Sequence, residues 1–255
     1  MPSFRFLAPA LIALALGVTP IAASAQSFND AQRGEIQTII KNYLLTNPEI
    51  LEEVSAELTK RQAAAEADKH KAAVEKNASL IFNSPRGVML GNKDGDVTFV
   101  EFFDYNCGYC KRAMTDMLDL MKSDSKLKVV LKDFPVLGPG SVEAAQVATA
   151  VKMQDPSGKK YLDFHQKLLG GRGQADKARA LAVAKEAGLD MARLEKDMAS
   201  PEVRATLEEN FKLAEEMGMN GTPSYVIGKQ VVVGAVGIDK LREAVGVARC
   251  GKVTC

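Results

Sequence analysis

The chain has 255 residues, 46% of them hydrophobic and 25% charged, with 20 Gly and 10 Pro. That composition excludes collagen-like repetition and wholesale disorder, and the length suits one domain with attachments or two small ones. A formal net charge of +1 supplies no broad basic field, so a nucleic-acid partner is not expected. Four cysteines are too few for a disulfide scaffold, but they fall in two tight pairs, Cys107 with Cys110 and Cys250 with Cys255.

Residues 1–25 carry one basic residue, Arg5, and no acid. An apolar run from Phe6 to Val18 leads to Ala23-Ser24-Ala25 ahead of Gln26. This is the pattern of a signal peptide cleaved after Ala25. The run is too short for a bilayer-spanning helix, which needs about 20 residues. Cleavage leaves Gln26–Cys255 with 32 basic and 32 acidic residues, exported to the bacterial periplasm. There, paired cysteines persist as disulfides.

Residues 26–82 read as a helical extension. Asn29-Asp30 can cap a first helix, in which Ile36, Ile39, Ile40, Tyr43 and Leu44 recur at helical spacing. Asn47-Pro48-Glu49 ends that helix and starts another, with proline suited to a first-turn position. From Pro48 to Leu80 the chain is rich in helix formers. Its apolar stripe of Leu51, Val54 and Leu58 gives way to Arg61, Ala65, Asp68 and Ala72. A helix polar on most sides is not held by its own domain's core. It is either a solvated linker or a stalk that makes a homo-oligomer through residues 29–80.

A boundary falls at Asn83-Ser84-Pro85-Arg86-Gly87, opening a domain over 83–250, with a short tail at 251–255. Strands are expected at Val88–Leu90 and Val97–Phe103, around the turn signal 91–96. The second strand is apolar on both faces except at Glu101, as a central strand should be. A helix to about Met121 and a strand at Leu127–Leu131 complete a parallel βαβ unit. Residues 141–218 read as an all-helical insert with helices at 142–153, 160–169, 175–187, 191–199 and 201–217. A hairpin over 224–233 and a closing helix at 239–247 follow. The order is β-β-α-β, helices, then β-β-α, an α/β fold.

Cys107-Gly108-Tyr109-Cys110 stands where a strand ends and a helix begins. Free N–H groups and the helix dipole at that point favour a thiolate on Cys107. Two intervening residues bring Cys110 close enough to resolve a mixed disulfide. Half a zinc site and a plain structural disulfide are the alternatives. Zinc would need two more ligands from His70, His165 or the terminal pair. Glu101, six residues upstream, would be buried near Cys110, where it can take or deliver the proton that exchange requires. Lys132 or Lys128 on the next strand is a candidate counter-charge. Thr222-Pro223 precedes the late hairpin, and a cis bond there would expose the Thr222 backbone to an extended substrate.

Together these residues resemble a family. The run Phe99–Cys110 (FVEFFDYNCGYC), with Lys132-Asp133-Phe134-Pro135 and Gly221-Thr222-Pro223-Ser224, resembles the DsbA-like thiol–disulfide oxidoreductases over about residues 83–248. The resemblance implies a thioredoxin fold with a helical insertion. It also implies Cys107 as nucleophile, Cys110 as resolving thiol, Glu101 as buried acid and Pro223 as cis-proline. Thr222, Gly108 and Tyr109 are then candidates to contact substrate. No cofactor or metal is implied. Partners would be unfolded or misfolded exported proteins and a membrane redox protein. The N-terminal segment is similar to that of the Com-one-type and ScsC-type branches, some of which are trimeric isomerases.

Two departures bear on direction. The dipeptide is Gly-Tyr where the strong oxidant of the family has Pro-His, so Cys107 lacks a histidine and should be less oxidising. Threonine before the proline is shared with periplasmic isomerases. Oxidase, isomerase and reductase all stay open, as does a non-catalytic metal-binding or scaffold role for the cysteines. Cys250 and Cys255 are expected to form a structural disulfide, with a redox relay or metal clip as alternatives. His165 is read as a helix-surface or packing residue, and Met114, Met117 and Met121 as core packing rather than copper ligands.

Overall fold

A computed structural model describes residues 28–255; the signal-peptide reading of 1–25 lies outside the described residues. The chain divides into a unit ending at Leu58 and a unit from Thr59 to Cys255. The first unit holds helix α1, Asp30–Thr46, and the start of α2, Glu49–Phe82. Asn29 caps α1 through a capping box, its side chain accepting from the Gln32 amide while the Gln32 side chain accepts from the Asn29 amide. No residue of α1 is buried: Ile36, Ile39, Ile40, Tyr43 and Leu45 are exposed, as are Leu51, Val54 and Leu58 of α2.

The second unit is built on a five-stranded sheet. Its strands are β1 (Val88–Gly91), β2 (Val97–Phe103), β3 (Leu127–Asp133), β4 (Ser224–Ile227) and β5 (Gln230–Val233), in the order β1-β3-β2-β4-β5. Strand β2 runs parallel to β3 and antiparallel to β4, and β1 is antiparallel to β3. The two runs flanking the 91–96 turn are therefore not neighbours; β3 lies between them. Asn92 starts that separation, its amide bonding the Leu127 carbonyl at 3.0 Å.

Alternation along β2 divides the core in two. Val97, Phe99 and Phe103 face helices α3 (Gly108–Ser123) and α9 (Ile238–Cys250), with α4 (Pro139–Gln154), α5 (Lys159–Gly170), α6 (Lys177–Glu186) and α7 (Met191–Met198) completing that side. Met117 is buried there, with Met114 and Met121 packed against it. Val100 and Phe102 face the other way, onto α8 (Pro201–Glu216) and the end of α2. This is a thioredoxin fold with helices inserted between β3 and β4.

The last part of α2 departs from the expected polar helix, since Val74 and Ile81, seven residues apart, are buried against Val100, Phe102 and Val226. The expected boundary at 83–87 is also tied down. Lys128 Nζ donates to the Phe82 carbonyl at 2.9 Å, and Arg86 pairs with Glu202 and Glu209, each at 2.9 Å. Residues 73–82 thus complete the sheet's second face.

Candidate active site

Strand β2 ends at Phe103, and four residues later Cys107 caps α3. Its Sγ accepts a hydrogen bond from the Cys110 amide at 3.2 Å and donates to the Thr222 carbonyl at 3.3 Å. The Thr222–Pro223 peptide is cis, and Pro223 leads directly into β4. Cys107, Cys110 and Thr222 are therefore brought together at the end of the central strands. The Cys107 thiol is lowered from 9 to about 6, chiefly by its hydrogen bond with the Cys110 thiol. Contacts from Thr222 and the amides of Cys110 and Tyr109 add to this, and burial opposes it. Burial pushes the Cys110 thiol far up, and its bond to Cys107 adds to that. Both cysteines are buried, and the pair is divided into a thiol that ionises readily at the helix cap and one that stays protonated.

Glu101 is buried mid-strand, in register with Leu131 on β3 and Tyr225 on β4. Its carboxyl is raised to about 8, by burial first and then by the negative charges of Cys107 and Asp116. Neither lysine serves it as counter-charge. In the parallel register Leu131 is opposite Glu101, so Lys132 and Lys128 point through the other face of the sheet. Lys132 Nζ lies 3.4 Å from Glu209 and from Asn210 Oδ1, and Lys128 is bound at the end of α2. A one-residue offset decides the partner.

At the mouth, Gly108 has open space around the position of a Cβ. Tyr109 is 60% exposed, with the Arg112 guanidinium 4.6 Å from its ring centre. His165 is a packing residue rather than a surface one. It is buried edge-on to Phe103 at 4.7 Å, its Nδ1 is 3.3 Å from the Tyr105 hydroxyl, and burial lowers it to about 3. Cys250 and Cys255 are bonded to each other. Their loop crosses α9 at Gly246, where a Cβ would meet the Val253 carbonyl.

Sequence reasoning missed the turn before the cysteine pair. Asp104 is buried and accepts from the Asn106 amide at 2.7 Å, the Ser141 hydroxyl at 2.8 Å and the Leu137 amide at 2.9 Å. The first of these is an Asx-turn, and Asp-x-Asn just ahead of a helix cap is its readable signal.

The model of the DsbA-like thioredoxin domain matches residues 98–246. The chain belongs to this family. A second match, to the N-terminal domain of the copper resistance protein ScsC, covers residues 32–65. Among solved structures, a thioredoxin-like oxidoreductase from Silicibacter pomeroyi is 43% identical, with a TM-score of 0.64. That match covers 67% of this chain and 96% of that one. Proteus mirabilis ScsC in a transitional conformation is 29% identical, with a TM-score of 0.63, over 88% of this chain and 97% of that one. Disulfide bond formation protein D of Bacillus subtilis is 25% identical over 62% of this chain and 74% of its own length. The chain also matches Na(+)/H(+) antiporters NhaA, spanning only about a quarter of their length; the one from Salinispora arenicola is 26% identical over 65% of this chain. Among the described residues, no helix is long and apolar enough to cross a membrane.

Proposed function

We propose that this DsbA-like chain is a thiol–disulfide oxidoreductase of exported proteins, working in the periplasm by exchange through Cys107 and Cys110. The observation that carries this is the Cys107 thiol at a helix cap, 3.3 Å from the carbonyl of a cis Thr222–Pro223 peptide. In the reducing direction the Cys107 thiolate attacks a substrate disulfide. One Cys107–substrate S–S bond forms, the substrate S–S bond breaks, and one substrate sulfur leaves as thiolate. The mixed disulfide removes the Cys107 charge that helps keep Glu101 protonated, so Glu101 can release its proton to solvent; its carboxylate then takes the Cys110 proton as Cys110 attacks Cys107 Sγ. The second substrate sulfur leaves, the substrate is reduced by two electrons and the cysteine pair is oxidised. In reverse, protonated Glu101 supplies the proton to the Cys110 leaving group. The Thr222 carbonyl and the open mouth at Gly108 and Tyr109 are where an extended substrate would lie.

Several observations support the finer reading. The signal-like residues 1–25 support export, as does likeness to a protein described as a periplasmic thioredoxin-like protein from Salmonella enterica, 29% identical. Residues 83–250 form the exchange domain in this reading, helped by 73–82. The exposed apolar residues of α1 and early α2, with the ScsC-like match at 32–65, support a homo-oligomer. An oligomer favours isomerisation, because a shielded cleft retains substrate between rounds. A membrane redox partner would keep the pair reduced.

The Cys107 thiol bears on direction. Such thiols run from about 3.5 in the strong oxidant to about 7 in thioredoxin. Against the former, a value near 6 means weaker stabilisation of the thiolate, which makes the pair less oxidising than the strong oxidant. The test is reactivation of scrambled ribonuclease beside oxidation of reduced ribonuclease, with the potential measured on the same sample. Reactivation with a potential clearly below the about −120 mV of the strong oxidant supports an isomerase. A potential near −120 mV with oxidation alone overturns that assignment.

A further inference from the structure

We propose that Asn106 is a positioning residue for the Cys107 nucleophile, pinning the turn before the cysteine pair to the inserted helices. This rests on the exchange reading above. The turn is tied to the insert by three consecutive residues. Asp104 takes the Ser141 hydroxyl of α4 and the Leu137 amide. The Tyr105 hydroxyl is 3.2 Å from that of Tyr161 on α5. Asn106, next to the nucleophile, makes the densest set. Its Oδ1 accepts from the Ala175 amide at 2.7 Å, and its Nδ2 donates to the Ala175 carbonyl and to Ser141 Oγ, each at 2.9 Å.

This site accepts an asparagine and little else. Ala175 presents both an N–H and a C=O, which a primary amide meets with its own acceptor and donor. The remaining Nδ2 hydrogen goes to Ser141 Oγ, whose hydroxyl proton is committed to the Asp104 carboxylate. The direction of every bond is thereby fixed. Aspartate could not donate to the Ala175 carbonyl, and alanine would leave both Ala175 groups and Ser141 unmatched. Glutamine would lengthen the reach by one methylene.

The consequence falls on Cys107. Its contacts with the Cys110 amide and the Thr222 carbonyl come from α3 and from the residue that precedes Pro223 at the start of β4. Both are met only if the chain enters α3 at one place. A second tie on the same loop, Lys111 Nζ to the Gly171 carbonyl at 3.0 Å, holds the first turn of α3 to the 171–175 segment that Asn106 grips. Freeing the Asn106 end lets Cys107 Sγ drift from the Cys110 amide, which donates to the sulfur and stabilises its charge.

The test is the pH profile of Cys107 alkylation by iodoacetamide in the full reduced protein, resolved by peptide mass spectrometry. N106A and S141A are compared with wild type, and circular dichroism checks that each is folded. S141A deletes one hydroxyl and is the readout should N106A not fold. The proposal predicts a Cys107 midpoint at least about one pH unit higher, hence alkylation about fivefold slower at pH 6. A folded variant with an unmoved midpoint, whatever its melting temperature, overturns it. Insulin reduction by wild type is run in parallel. An inactive wild type would refute the exchange reading, while the midpoints would still decide the role of Asn106.

Discussion

Glu101→Gln isolates the buried acid at nearly constant shape. Burial and the neighbouring negative charges raise the carboxyl to about 8 in the folded chain, against 4.5 in the unfolded one. The folded state therefore holds a proton that the unfolded state has lost throughout that window, and stability must fall as pH rises through it. Below pH 4.5 the contribution is fully present; above pH 8 it is gone. The span corresponds to about 5 kcal/mol, most of it lost by pH 7. Glutamine does not titrate, so the difference between E101Q and wild type isolates Glu101 together with its coupling to Cys107 and Cys110. Guanidinium melts of both proteins at pH 5, 7 and 9, with the cysteines reduced, measure it. The stability of E101Q relative to wild type should climb by several kcal/mol between pH 5 and pH 9. A difference that is flat or falls with pH would refute a buried, protonated Glu101. The variant should also slow exchange, since glutamine neither accepts nor supplies the proton of Cys110.

Two further outcomes concern the frame around the site. Replacing Cys250 and Cys255 together with serine removes a short loop whose closure is worth about 2 kcal/mol. Chemical denaturation should show that loss with insulin reduction retained, because the loop lies on α9 and not at Cys107; lost exchange would make the pair a relay. Ile81→Ala opens the core between α2 and the sheet and should cost about 3 kcal/mol. A loss below about 1 kcal/mol in a denaturant melt would mean that α2 is dispensable to the fold.

Much of this architecture was legible because period and punctuation coincide. The alternation-free run Val97–Phe103 announces a central strand, and the cysteines follow it at a helix start. The partner of Glu101 was not legible, because strand register is a tertiary fact: one residue separates Leu131, beside it, from Lys132, on the opposite face. Pairing of β1 with β3 was hidden for a similar reason, since a turn signal says where a chain bends and not which strand it returns to. The end of α2 was misjudged because two buried residues, Val74 and Ile81, suffice to seat it among many polar ones. No role for Asp104 and Asn106 was legible in sequence, because their partners Ser141, Leu137 and Ala175 lie 33 or more residues away.

The central claim is that Cys107 forms a covalent bond with substrate that Cys110 then resolves. Reduced C110S mixed with scrambled ribonuclease tests it most directly, because nothing remains to break the mixed disulfide from within. A dithiothreitol-sensitive adduct should accumulate, its linkage mapped to Cys107 by mass spectrometry, and C107S should give none. No adduct from C110S, or an equal yield from C107S, would contradict the account.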